Sequence, residues 1–243
     1  MAKKAATART QLRWPAKRAA TARPGRPRRA PRSASGNDNT PYHHGALRDA
    51  LLDAAERVLE RDGLAGLTLR AVAREAGVSH AAPTHHFGDL TGLVSELAAI
   101  GFRQFNVAMA AATARGTSLT DKALARARAY VAYAQAHPGV YGLMFRTERL
   151  DMTRPSLCEA AKASFAGLAG AIGASRQEQI SEQALSLEQA ADIARAWSLV
   201  HGFTMLLLDG RLTDILSRLP AGADAETLLD AMLRRAIGQL PTS

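Results

Sequence analysis

Cysteine, aromatic residues and long apolar runs are scarce in this chain, and each scarcity excludes a class of protein. The only cysteine, Cys158, excludes an internal disulfide and fits a reducing compartment. No stretch reaches about eighteen consecutive apolar residues, so we expect no membrane-spanning helix. Aromatic residues make up 5% and apolar residues 47%, with alanine abundant. This composition favours helices packed on small residues over a β-sheet core.

Patterns that carry catalysis or metal binding are also missing. The adjacent pairs His43–His44 and His85–His86 would point apart on a helix, and no Cys/His spacing matches a zinc site. There is no Gly-rich phosphate loop, no nucleophile elbow and no spacing that suggests paired acid–base groups. We therefore expect no enzyme, no cofactor and no metal. An enzyme on a helical scaffold stays as an alternative that turnover of a bound small molecule would support.

The positive charge is confined to one end of the chain. Residues 1–40 hold eleven Lys/Arg and one acid, net +10, whereas the rest holds 20 bases and 21 acids, net −1. Residues 1–40 have no hydrophobic period and are rich in Pro, Ala, Ser and Arg, so we expect a disordered basic arm. The arm lacks the apolar segment of a secretory signal. Its prolines and clustered charge argue against the alternative of a transit peptide.

Residues 41–90 predict three short helices and a tight turn. Apolar residues recur every three or four positions in the first helix, which Gly63 ends. Thr68 can cap the second helix, and Gly77 can supply the left-handed residue that stops it. Ser79 is expected to cap the third helix, which runs towards Phe87. This is the pattern of a helix-turn-helix DNA-binding domain.

Longer helices are predicted across residues 91–243, which are expected to form a larger helical domain. The expected fold is therefore all-α, with no internal repeat, and residues 175–186 are expected to form a polar loop. Proline stands at several of the breaks, where it can start a helix or prevent its continuation. The predicted helices are Leu90–Ala114, Leu119–Ala136, Pro138–Arg146, Pro155–Ala174, Leu187–Asp209, Leu212–Leu219 and Ala225–Leu240.

The segment Leu47–Val94 resembles the N-terminal domain of the TetR (tetracycline-repressor-like) family of bacterial regulators. The resemblance lies in the three-helix pattern, in "LTLRAVAREAGVS" and in the closing "HHF" before a Leu-rich helix. Further on, "HPGVYGLMFR" and "WSLVHGFTMLLLDGRL" look like a regulatory domain of the branch with a Trp-x-x-x-His-Gly signature. Family members often have an aromatic residue at the position of Thr84 and a lysine at that of Leu90, so the local phosphate contacts differ here.

This resemblance implies a cytoplasmic, nucleoid-associated homodimer that binds double-stranded DNA at a palindromic operator. Its second and third helices would enter the major groove. A small apolar or amphipathic effector would bind the C-terminal domain and release the DNA, more often as a repressor. The alternative is an architectural DNA-binding protein dominated by its basic arm. Sequence-specific binding that survives moderate salt would separate the two.

DNA binding raises a question of charge, because residues 41–90 hold five bases and seven acids. Phosphate neutralisation dominates nucleic-acid affinity, so this domain alone is expected to bind weakly. The arm is expected to supply the charge, either as a nonspecific tail or through "RPGRPRR", which partly resembles the minor-groove AT-hook. Base reading is expected from the exposed edge of the third helix, whereas Phe87 should close a small core with Leu51 and Val72. The predicted DNA-binding residues are Arg26, Arg28, Arg29, Thr68, Ser79, His80, Ala81, Thr84, His85 and His86.

Several of these assignments have an alternative. His86 can contact phosphate or pack at the helix end. His201 shares a helix face with Trp197 and can bind an effector or cap a buried carbonyl. Cys158 can sense oxidants or be inert. The aromatic candidates can line a pocket or simply form the core. The predicted effector residues are Phe105, Tyr133, Tyr141, Phe145, Phe165, Trp197 and His201. The predicted dimerisation residues are Ile193, Leu228, Leu229 and Met232, some of which must also pack the monomer.

Overall fold

The protein is all-helical throughout the residues that the computed structural model describes, 42–181 and 183–238. None of the helices in these two ranges has both the length and the apolarity needed to cross a bilayer. In chain order the helices are α1 (Tyr42–Gly66), α2 (Leu69–Ala76), α3 (Ala81–Phe87), α4 (Leu90–Thr113), α5 (Leu119–Ala136), α6 (Pro138–Met144), α7 (Pro155–Arg176), α8 (Leu187–Leu208), α9 (Thr213–Leu216) and α10 (Ala225–Gly238), with a 3₁₀ turn at Thr147–Arg149.

The signals that end and start the first helices act largely as predicted. Gly63 breaks α1 with φ +67°. The Thr68 hydroxyl accepts a hydrogen bond from the Ala71 amide at 3.1 Å, and Gly77 ends α2 in the left-handed region. The prediction that Ser79 caps the third helix is wrong. That helix begins one residue later, with His80 at the N-cap and no side-chain capping bond, because residues 79–82 form a tight turn closed by the Ala82 amide and the Ser79 carbonyl.

The later helices lie within a few residues of their predicted bounds. Pro138 and Pro155 stand in the first turns of α6 and α7, where a missing amide hydrogen costs no helical bond. Two predicted helices are shorter than expected. α6 stops at Met144, and α9 is a single turn. The predicted end of the last helix, residues 239–240, lies outside the described residues.

One hydrophobic core joins the first helices to the C-terminal ones. Phe87 packs in the same buried cluster as Leu51 and Val72, which confirms the expected closing of the small core. The cluster continues through α4, α5, α6 and α7, so the helix-turn-helix segment and the larger helical segment share one interior. A second, smaller cluster joins α5, α8 and α10 around Phe203 and Leu229. A displacement among the C-terminal helices can therefore reach α3 through packed side chains.

Candidate DNA-binding face and regulatory cluster

The outer faces of α2 and α3 carry the predicted DNA-reading side chains. His86 is half-buried, with its ring 5.4 Å from that of His85, so it lies at the margin of this face. The remaining six predicted residues of these two helices are exposed: Thr68, Ser79, His80, Ala81, Thr84 and His85. The predicted arm residues Arg26, Arg28 and Arg29 lie outside the described residues.

The opposite face of α3 holds the helix against the core. Pro83 and Phe87, four positions apart, are both buried. Because the proline lies in the first turn of a seven-residue helix, its missing amide hydrogen costs little, and its ring fills the interior. The helix therefore has one apolar face that packs on the core and one exposed edge, formed by His80, Ala81 and Thr84, that a ligand can contact.

Two arginines in this segment form no salt bridge or hydrogen bond with an acid among the described residues. Arg57 and Arg61 both bond the Glu75 carboxylate, at 3.0 and 2.9 Å, and these hydrogen bonds lower the pKa of Glu75. Arg70 and Arg74, on the exposed face of α2, form no ion pair within the described ranges. The only guanidinium groups of α2 are thus available to an anion.

A cluster of charged groups joins α1, α4 and the start of α7. Glu96 of α4 is bonded by Arg48 of α1 at 2.6 Å and by the Ser156 hydroxyl at 2.9 Å. Arg154 lies 3.5 Å from the same carboxylate. Its guanidinium also donates to the backbone carbonyl of Phe87, the last residue of α3, at 3.3 Å. A side chain from the start of α7 therefore bonds the end of the helix that carries the reading edge.

A hydrogen-bonded group of one histidine and two tyrosines lies among the C-terminal helices. His201 Nδ1 of α8 is 2.8 Å from the Tyr141 hydroxyl and 3.0 Å from the Tyr130 hydroxyl. The two hydroxyls are 3.2 Å apart. Burial lowers the pKa of His201 and raises the pKa of both tyrosines. The neutral imidazole can therefore accept a hydrogen bond from one of the two hydroxyls.

Aromatic rings surround this hydrogen-bonded group. The rings of Phe145 and Trp197 lie 4.6 and 5.9 Å from that of His201, and Phe105 lies 5.0 Å from Tyr130. Trp197 is 47% exposed, so the cluster reaches the surface at this ring. We name Phe105, Tyr130, Tyr141, Phe145, Trp197 and His201 the aromatic cluster.

The other two predicted effector residues lie differently. Tyr133 is buried with its ring 5.5 Å from Phe105, but its hydroxyl donates to the Gly101 carbonyl of α4 at 2.9 Å. Burial raises its pKa. Phe165 is half-buried on α7 and makes no aromatic ring contact in the described part of the chain. Five of the seven predicted effector residues thus belong to the aromatic cluster, Tyr133 adjoins it, and Phe165 stands apart.

The predicted dimerisation residues mostly pack inside the protomer. Ile193 and Leu229 are buried within the protomer, at 6% and 1% exposure, which corrects the prediction that they take part in dimerisation. Leu228 and Met232 are half-buried and pack on the second hydrophobic cluster. They face inward because α10 lies against α5 and α8. Exposed large apolar side chains among these helices include Leu187, Trp197 and Leu206 of α8 and Ile215 of α9.

Some of these positions could not be singled out from the sequence. Arg154 is one charged residue among many, and only tertiary structure shows that it meets the Phe87 carbonyl. The predicted DNA-binding residues left out Arg70 and Arg74, although their spacing of four residues, opposite Val72, is a signal that could have indicated an exposed basic edge on α2. Cys158 is a free, half-buried thiol on α7.

Comparisons with known proteins identify the family. Residues 51–97 match the family model for bacterial regulatory proteins of the tetR family, and residues 123–236 match that for the tetracyclin repressor-like C-terminal domain. The chain belongs to the TetR family of transcriptional regulators. This membership confirms the all-α helix-turn-helix fold and favours a regulator over an architectural protein.

Individual relatives agree with this assignment. An uncharacterised HTH-type transcriptional regulator of Mycobacterium tuberculosis is 28% identical over 74% of this chain and 83% of its own. A solved structure of a Rhodococcus protein of unknown function is 32% identical, with a TM-score of 0.65 over 81% of this chain and 96% of that one. The Bacillus subtilis regulator FadR, solved with stearoyl-CoA, is 16% identical, with a TM-score of 0.56 over 76% of this chain and 95% of that one. This last likeness is one of fold alone.

Proposed function

We propose that this regulator is a homodimeric repressor that binds a palindromic operator and leaves it when a small apolar or amphipathic effector enters the C-terminal helices. The observation that carries the proposal is the arrangement of α2 and α3. Two guanidinium groups with no salt bridge among the described residues lie on α2, and an exposed edge without charged side chains other than histidine lies on α3. This division suits a DNA-binding protein in which α2 contacts phosphate and positions the protein, while α3 contacts the base edges and reads the sequence.

The phosphate contacts are assigned to α2. Arg70 and Arg74 supply charge, and the Thr68 hydroxyl and the neighbouring amides at the start of α2 supply further donors. The arm, with Arg26, Arg28 and Arg29, adds the larger part of the affinity because it carries the net positive charge of the chain.

The base contacts are assigned to the exposed edge of α3. His80 and Thr84 can hydrogen-bond base edges in the major groove, and the Ala81 methyl can contact a thymine methyl. Ser79 and His85 flank this edge and are assigned to the neighbouring backbone. His86 is assigned to the same margin.

The effector is assigned to the aromatic cluster, where apolar rings surround a few polar atoms. An effector that bonds His201 or Tyr141 would displace a hydroxyl–imidazole bond and shift α6, which carries Tyr141. The start of α6 is bonded to Glu60 of α1, through amides at 3.0 to 3.2 Å. A shift of α6 would therefore move the helix that supports α2 and α3.

Dimerisation is assigned to the exposed side of α8. Its exposed apolar side chains, Leu187 at 81% and Trp197 and Leu206 at 47% each, form part of a surface that a second copy would cover. A dimer that reads a palindrome needs its two α3 helices about one DNA turn apart, roughly 34–36 Å. The variant Leu206→Glu should lower the mass measured by sedimentation from that of a dimer towards that of a monomer.

Selection from random duplexes tests the proposal. The full chain and a form without residues 1–40 are each used to select DNA at moderate salt. Enrichment of one palindrome by both forms is the expected result, with lower affinity and a flatter salt dependence for the shortened form. An unchanged salt slope would contradict the role of the arm. Enrichment of A/T-rich DNA alone, lost with the arm, would overturn the assignment of α3.

A further inference from the structure

We propose that Arg154 is a positioning residue for DNA binding: it fixes the orientation of α3 relative to the C-terminal helices, and thereby the operator spacing that a dimer accepts. The inference rests on the proposed function, because spacing has meaning only for two reading helices joined in a dimer. The contact of Arg154 gives a structural reason why the α3 helices of the two protomers would stay at one fixed distance from each other.

The contact is made at the end of α3 itself. Phe87 is the last residue of this helix, and the last carbonyl groups of any helix lack a partner within it. Arg154 Nη2 donates to the Phe87 carbonyl at 3.3 Å. A charged donor at the start of α7 thus satisfies a carbonyl at the C-terminal end of α3. Because α3 has only seven residues, each contact at its ends is a large share of the bonds that hold it.

Close packing leaves no space for this carbonyl to move towards α4. A Cβ atom added to Gly92, in the first turn of α4, would lie 2.0 Å from the Phe87 oxygen and 2.5 Å from Arg154 Nη2. The missing side chain of Gly92 therefore allows the carbonyl and the guanidinium to meet beside α4.

A single carboxylate holds both arginines that contact Phe87. Arg48 lies over the Phe87 ring, with its guanidinium carbon 5.5 Å from the ring centre, and bonds Glu96 at 2.6 Å. Arg154 contacts the Phe87 carbonyl and lies 3.5 Å from the other Glu96 oxygen. The Glu96 side chain is 14% exposed, so these charge contacts are only partly screened. The ring of Phe87 is thus contacted from α1 and its carbonyl from the start of α7, and Glu96 of α4 binds both arginines that make these contacts.

The Arg154 guanidinium has one buried group with no hydrogen bond, which gives it a second possible arrangement. Its Nε atom is buried without a hydrogen-bond partner in the described ranges, and the Asp151 carboxylate lies 3.6 Å away. The contacts to Phe87 and Glu96 are also long. A displacement of the 151–154 loop away from α3 would lengthen the bond from Arg154 Nη2 to the Phe87 carbonyl, whereas the Asp151 carboxylate of the same loop would stay beside Nε as an alternative acceptor. The orientation of α3 therefore responds to the position of α7.

The test measures spacing selectivity of the full chain. Affinities are measured for the selected palindrome, for the same palindrome with one base pair inserted or removed at its centre, and for a single half-site. We expect the unaltered protein to prefer its own spacing by about tenfold or more, and Arg154→Met to reduce this preference to below about threefold. Half-site affinity should stay within about twofold, because the reading edge itself is unaltered.

Matched variants keep the result interpretable. Arg149 is an exposed arginine in the connection between α6 and α7 and forms no ion pair in the described part of the chain. The variant Arg149→Met should keep the full preference for the original operator spacing. Arg154→Lys and Glu96→Gln serve if Arg154→Met does not fold, and both should lower the preference. A folded Arg154 variant with unchanged spacing selectivity would overturn the inference. Equal loss of half-site and palindrome affinity would do so as well, because it indicates only a damaged domain. If the unaltered protein selects no palindrome, the proposed function itself fails.

Discussion

The backbone amide of Gly139 donates a bifurcated hydrogen bond to the Glu60 carboxylate near the end of α1, with its nitrogen 3.0 and 3.1 Å from the two oxygens. Gly139 is the second residue of α6, whose first amides have no partner within the helix. A negative charge at this end also meets the positive end of the helix dipole. A side chain of the helix-turn-helix segment therefore serves as the cap of a helix that carries Tyr141 of the aromatic cluster.

Removal of this cap should lower the stability of the protein. In Glu60→Ala the amides of Gly139 and Val140 lose their acceptor, and we expect a loss of about 1 kcal/mol in the free energy of unfolding, since the site is exposed. Thermal or denaturant unfolding measures it. Asp53→Ala, an exposed acid of the same helix without a hydrogen bond or ion pair in the described residues, is the matched control. Equal stability of the two variants would show that the cap contributes nothing.

His201 should make the protein less stable as the pH falls. Burial lowers its pKa in the folded state below the ordinary value of about 6.5, so the unfolded chain binds more protons in the interval between the two values. The free energy of unfolding should therefore fall as the pH drops from about 7.5 through 6.5. His201→Gln should show a smaller fall over the same range, whereas His85→Gln, at an exposed position, should follow the unaltered protein. Parallel pH curves for all three proteins would contradict this account of His201.

The two arginines of α2 should contribute to DNA affinity without regard to sequence. Arg70→Gln or Arg74→Gln should weaken binding to all duplexes alike and reduce the slope of log K against log salt by about 1 each. Arg57→Gln is the control, because Arg57 is already bonded to Glu75. A change in the preferred sequence would mean that these side chains reach bases instead.

The Arg126 side chain should lower the free energy of unfolding. This half-buried arginine of α5 lies against Gly167 of α7, and burial lowers its pKa with no ion pair to offset it in the residues described. Arg126→Met should raise the free energy of unfolding by about 1 kcal/mol and the Tm by about 2–4 °C. Arg103→Met removes an exposed arginine and should leave the Tm unchanged. A lower Tm for Arg126→Met would indicate a partner for the guanidinium.

Local signals in the sequence were enough to place most helices. Thr68, Gly77, Pro138 and Pro155 act through backbone geometry within one or two residues of themselves, so their effects could be predicted without a fold. The exception is instructive. Ser79 has the chemistry of an N-cap, but the tight turn that follows Gly77 starts the helix one residue beyond it.

Contacts between distant segments could not be predicted in the same way. The periodicity of α10 shows an apolar stripe but not which neighbour covers it, so Leu229 was predicted as a dimerisation residue although it is buried against α5 and α8. The partners of Arg154 and Glu60 lie 67 and 79 residues away along the chain. Hydrogen bonds between a charged side chain and a backbone group at such separations depend on how whole helices pack, which the sequence around each residue does not reveal.

The central claim is that the edge of α3 reads DNA sequence. Its most direct test is the affinity of Thr84→Ala for the selected palindrome, for variants of that palindrome changed at one base pair per half-site, and for unrelated DNA. We expect a loss of about 1–3 kcal/mol per contacted base pair on the palindrome, relaxed selectivity at that one position and unchanged affinity for unrelated DNA. An equal loss on every duplex, or no loss on any, would contradict the claim.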